Sequence, residues 1–204
     1  MIDMIRITNP KAFLYGFTMQ HDEPKNGLDT SLNLSGTHRI LSFQFKRPKK
    51  QNKNIFWFDF NNSTHFHQHN IMHVTANATS PIPTVFYALP AYFSMNDFEN
   101  SSPNFLQHTY FIDILETPLI FDLHTHSFEI DVTKLTYSIH SDNNLGEGKI
   151  QTWDSIHKKF LAGEIGISTS LFKRRILEFQ IKNYRISEVD NKNKSKVFLK
   201  ALVV

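Results

Sequence analysis

Cysteine is absent from the chain. Disulfides, thiolate metal sites and a cysteine nucleophile are excluded with it. No apolar run approaches the roughly 18 to 20 residues that cross a bilayer. The opening residues, Met1-Ile2-Asp3-Met4-Ile5-Arg6, lack the basic-then-apolar order of a signal peptide. A soluble, cytoplasmic protein with no membrane partner is therefore expected. Glycine-rich phosphate loops, nucleophile elbows and dinucleotide fingerprints are missing too, which argues against nucleotide-driven or covalent-serine chemistry.

What is present suits one sizeable domain over residues 1–204, with a core at about 15–117 and a C-terminal extension at about 118–204. Apolar residues make up 40% of the chain and aromatics 13%, 19 of them Phe, enough to fill a core. The net charge of +3 and pI near 9.0 permit a nucleic-acid partner without requiring one.

Strand patterns dominate the first half. Between Leu28 and Leu34, Leu28, Thr30, Leu32 and Leu34 face one way and Asp29, Ser31 and Asn33 the other. After a turn at Gly36-Thr37, Leu41, Phe43 and Phe45 oppose Ser42, Gln44 and Lys46. Ile55 to Phe60 reads as a third strand, and the segment Thr64 to Ala78 is long enough for a crossover helix. Thr84 to Leu89 is a continuous apolar run ended by Pro90, as in a strand buried on both faces. Ser94 caps a short helix. Pro118 to Val132 and Leu135 to His140 read as strands, and Ile150 to Leu161 and Ser168 to Tyr184 as helices. This order predicts an α/β protein with a mixed central sheet and flanking helices.

The hairpin expected of the first two strands puts Asp29, Gln44 and Lys46 on one face. A carboxylate and an amide carbonyl are hard oxygen ligands suited to Mg²⁺ or Mn²⁺. A neighbouring lysine can orient water or stabilise charge developing on a phosphate. Asp29, a gap of fourteen residues and then Gln44-x-Lys46 resemble the PD-(D/E)xK restriction-endonuclease-like superfamily in its Gln-x-Lys variant. Further landmarks, Gly27-Leu28-Asp29, Phe43-Gln44-Phe45-Lys46, Gln68-His69 and Phe86-Tyr87-Ala88-Leu89-Pro90, resemble a family of uncharacterised bacterial proteins.

That resemblance implies a restriction-endonuclease-like αβββαβ core, extended here by further strands and C-terminal helices. It implies catalytic roles for Asp29, Gln44 and Lys46, a metal held by Asp29, Gln44 and Glu23, and accessory roles for Gln68 and His69 on the crossover helix. Two departures are visible. Gln44 replaces the usual acidic ligand, removing a negative charge, and Pro24 disfavours helical geometry at Glu23. The implied function is a metal-dependent endonuclease cutting DNA ahead of RNA, in bacterial defence or a mobile element, as a homodimer or within a larger complex. The alternative is a catalytically inactive nuclease-like subunit that binds nucleic acid or protein.

Histidines offer a third reading. His65, His69 and His73 fall on one helical face, and His124-Thr125-His126 puts two rings on one strand face. No His-Glu-x-x-His accompanies them, so satisfied polar histidines are the plainer expectation. Arg47, Lys49, Lys50 and Lys53 on a basic loop, with Lys173 and Arg174 on the last helix, are candidate phosphate contacts.

Overall fold

The structure is a computed structural model describing residues 12–16, 30–34, 39–60, 66–101, 105–120, 124–140, 146–168, 170–172 and 174–175. It is a mixed α/β protein with two sheets. The first sheet begins as an antiparallel meander of β1 (Ala12–Gly16), β2 (Thr30–Leu34) and β3 (Arg39–Phe45). A hairpin, β4 (Lys50–Asn52) and β5 (Ile55–Phe60), and the helix α1 (Phe66–Thr79) follow. The chain then returns as β6 (Val85–Pro90), parallel to β3 with Gln44 opposite Tyr87. A second helix, α2 (Met95–Ser101), opens on a reciprocal cap: the Ser94 amide donates to Asp97 at 2.9 Å and the Asp97 amide to Ser94 Oγ at 3.1 Å.

Strand β7 (Thr109–Asp113) pairs with β6. Beyond it, β8 (His126–Asp131), β9 (Thr136–His140) and β10 (Gly146–Lys149) join β5 and β4 in the second sheet, ordered β10-β9-β8-β5-β4. The chain closes on β11 (Gln151–Thr152), α3 (Trp153–Ala162) and β12 (Ile167–Ser168), whose strands rejoin the first sheet against β7 and β3.

Both faces of the first sheet are covered, which is why β6 reads as an unbroken apolar run. Val85, Tyr87 and Leu89 face Phe58, Phe60 and Phe128 of the second sheet and Met72 and Ala76 of α1. Phe86 and Ala88 face Ile156 and Phe160 of α3, together with Leu41 and Phe43. In β5, Phe56, Phe58 and Phe60 are buried while Ile55, Trp57 and Asp59 are half-buried, the alternation of a strand with one wet face.

The expected third strand, β5, keeps its bounds but leaves the meander, pairing with β4 and β8 in the second sheet. Two sequence-based boundaries move. Within Pro118 to Val132 only His126–Asp131 is a strand. The helix expected from Ile150 begins at Trp153, because Gln151 and Thr152 pair with β7 and the Thr152 hydroxyl then caps the helix. Of the helix expected over Ser168 to Tyr184, residues 170–172 and 174–175 are helical and those beyond 175 lie outside the described residues.

Candidate functional site

Strand β3 has two unlike faces. Leu41 and Phe43 enter the core beneath α3, whereas Ser42 and Gln44 point to the layer that holds α1. Gln44 is 2% exposed, and its Nε2 donates to the Phe45 carbonyl at 3.3 Å. Lys46 follows on the same side, its amide donating to the Ala88 carbonyl at 3.0 Å and so extending the parallel ladder. Its side chain is half-buried, and Nζ donates to Oε1 of Gln68, the first turn of α1, at 2.6 Å. The fold therefore joins Lys46 and Gln68, 22 residues apart in the chain.

Behind this contact lies His69, wholly buried. Its Nε2 is 2.8 Å from the Pro118 carbonyl, which can only accept, so Nε2 carries the proton. Its Nδ1 must then accept from the Tyr87 hydroxyl at 2.8 Å. Burial drives the His69 pKa down to about 3, opposed by the Pro118 carbonyl and reinforced by His73, His126 and Lys46. The ring is neutral at pH 7. Burial likewise pushes the Tyr87 hydroxyl well above its ordinary value, so it remains a donor.

Two neighbours complete the pattern. The His73 ring lies 4.8 Å from that of His69, and burial lowers its pKa to about 4. The Thr117 hydroxyl donates to the Ile114 carbonyl at 2.7 Å, so its oxygen accepts from His73 Nε2 at 3.0 Å. Asn70 grips Ile120 at both backbone groups, 2.7 Å to the carbonyl and 3.3 Å from the amide. Residues 117–120 are not in a helix or strand, and α1 side chains supply partners for the Pro118 carbonyl and for both backbone groups of the buried Ile120.

Among the described residues, no group of three or more His, Asp or Glu is placed to hold a metal ion. Asp29 and Glu23 lie outside the described residues, as do His65 and Lys173. Asp29 precedes Thr30, which pairs with Phe43 in the register of β2 on β3. His124 is exposed while His126 is buried at the start of β8, so the two do not share a setting.

Of the basic candidates, Arg47, Lys49, Lys50, Lys53 and Arg174 are exposed. Lys49 pairs with Asp59 at 2.7 Å, and Lys50 Nζ lies 4.8 Å from the centre of the Trp57 ring. Asn70 and Thr117 are not marked out by the sequence, and Tyr87 appears there only within the Phe86-to-Pro90 landmark, without a role. Tyr87 carried a signal: a hydroxyl inside an otherwise apolar buried strand requires a partner.

Comparison with models of protein families, with curated proteins and with solved structures finds no match for this chain.

Proposed function

We propose that this chain is a metal-dependent phosphodiesterase of the restriction-endonuclease type, acting on nucleic acid through Asp29, Gln44 and Lys46. The observation that carries this reading is the Lys46–Gln68 hydrogen bond of 2.6 Å. It holds an ammonium beside Gln44, on the polar face of β3 and under the crossover helix, as the αβββαβ core expects. The parallel pairing of β3 with β6 across α1 supports the same core.

Among the described residues, Gln44 brings a side-chain carbonyl oxygen to this face, and Gln68 Oε1 already accepts from Lys46. The metal fit thus depends on Asp29 and Glu23. A bound Mg²⁺ or Mn²⁺ would supply Lewis-acid stabilisation of the phosphoryl oxygens. The chain's own part would be to orient the attacking water and steady the developing charge with the Lys46 ammonium, which Gln68 holds in place.

The test incubates the purified chain with linear and circular DNA, single strands and RNA, with Mg²⁺ or Mn²⁺. Cleavage is expected, with Asp29→Ala and Lys46→Ala each slowing it about 10²-fold or more. Wild type that cuts nothing, or variants that cut as fast, would end this reading. The burial of Gln44 favours a second reading, a nuclease-like fold that binds nucleic acid or protein without cutting it. Retained binding with no cleavage would support it.

A further inference from the structure

The outward face of the second sheet carries a feature that its core does not require. Lys50, Trp57 and Glu129 stand directly opposite one another on β4, β5 and β8. Trp57 alternates with the buried Phe56 and Phe58, so its indole lies on the wet side. Its Nε1 donates to Glu129 Oε2 at 3.1 Å, which fixes the plane of the ring, and Lys50 Nζ lies 4.8 Å from the ring centre.

We propose that this face binds single-stranded nucleic acid. Trp57 is the platform on which a base stacks, and Arg47, Lys50 and Lys53 contact the phosphates. Charge supports that occupant. The acids nearest Trp57 are engaged: Asp59 pairs with Lys49 at 2.7 Å, and Glu129 takes the Trp57 N–H and lies 3.1 Å from His140 Nε2, while Asp131 pairs with Lys134 at 3.2 Å and the exposed Glu147 lies farther along the row, on β10. The basic groups reach outward, since Arg47, Lys50 and Lys53 are exposed and Lys53 sits at the hairpin turn with φ 53°.

An indole flanked by exposed cations suits a single strand. Unpaired bases offer their faces for stacking, while those of a duplex are covered by their neighbours. Displacing Lys50 from the indole frees its ammonium for a phosphate. The hairpin also continues β3 directly, so Lys50 stands four residues after Lys46, at most about 14 Å of extended chain. A strand held here passes the candidate site. The inference rests on the proposed function for the class of ligand.

Binding is measured by fluorescence anisotropy of labelled 12-mers, DNA and RNA of the same sequence and a DNA duplex. The chain carries Asp29→Ala and the buffer EDTA, so that nothing is cut. We expect single strands to bind more tightly than duplex, and Trp57→Leu to weaken them about ten-fold. Trp57→Phe should stay within about three-fold, because a phenyl ring still stacks. Lys50→Ala should reduce the slope of log affinity against log salt by about 0.7. Circular dichroism guards against unfolding. Absence of binding, preference for duplex, or Trp57→Leu binding like the parent would each overturn the inference. Binding of only DNA or only RNA keeps it and names the ligand. Wild type that binds as described but never cuts removes the catalytic reading and leaves this one standing, whereas cutting that is indifferent to Trp57 does the reverse.

Discussion

Buried ionisable groups set the pH behaviour of this molecule. His69 and His73 fold as neutral rings, with pKa values of about 3 and 4 against an ordinary 6.5. The unfolded chain therefore binds protons more readily than the folded one. Their contribution is complete above pH 6.5 and is lost as pH falls from there toward 4 and below. Each unit below 6.5 costs about 1.4 kcal/mol per histidine, so at pH 5 each has lost about 2 kcal/mol. Urea unfolding at pH 7, 6 and 5 should show this loss, and His73→Gln should halve it; a flat profile would contradict the assignment. Asp113 works in the opposite sense. Burial, with Glu116 nearby, raises its pKa to about 6, against the Leu115 amide and Lys159. A raised carboxyl pKa favours folding below pH 3.8 and becomes a cost as pH climbs through 6. Asp113→Asn, which can still accept from the Leu115 amide, should stabilise the protein by about 1–2 kcal/mol at pH 7.5. The gain should vanish near pH 4. At this scale the sequence offered the candidates and little of their roles: the His65-to-His73 run was visible, but the Pro118 carbonyl that consumes His69 was not.

Elements follow local rules closely here. The alternation of β5 was legible because one wet face leaves a period-two pattern, and the apolar run of β6 because both its faces are covered; β3 alternates in polarity although Ser42 and Gln44 are buried along with Leu41 and Phe43. The end of α3 is equally local. Gly163 adopts φ 82° and its amide returns to the Lys159 and Phe160 carbonyls, a left-handed cap. A Cβ there would stand 2.5 Å from Nη1 of Arg39, whose Nη2 holds the Gly163 and Gly166 carbonyls at 2.6 Å each. Gly163→Ala adds backbone strain and displaces that guanidinium. It should cost about 1–2 kcal/mol, lowering the melting temperature by about 2–4 °C per kcal/mol. An unchanged melting temperature would show that Arg39 yields freely. Boundaries were less legible where strand pairing overrides propensity, as at Gln151 and Thr152, whose partners on β7 lie some forty residues earlier.

Across the whole molecule, one core joins the two sheets and α1. Phe58 and Phe128 of the second sheet pack in the same cluster as Ile112 of the first and Met72 of α1. Neither sheet can expose that surface alone, so both should unfold together. Trp57 reports on the second sheet, and Trp153, packed on Phe111, reports on the first. Single-tryptophan variants, Trp57→Phe and Trp153→Phe, should give coincident denaturation midpoints after correction for each variant's stability; separated transitions would show independent sheets. Sequence by itself determined β2, β3, β5, β6 and β9, the crossover helix and the polar face holding Gln44 and Lys46, since alternation, apolar runs and helix length are properties of neighbouring residues; β1, β4, β7, β10, β11 and β12 were not legible in it. Tertiary structure decided that β5 belongs to a second sheet, that α1 spends His69, Asn70 and His73 on residues 117–120, and that Gln68 meets Lys46. Each is a contact between distant residues, selected by which backbone groups are left needing partners once the core closes.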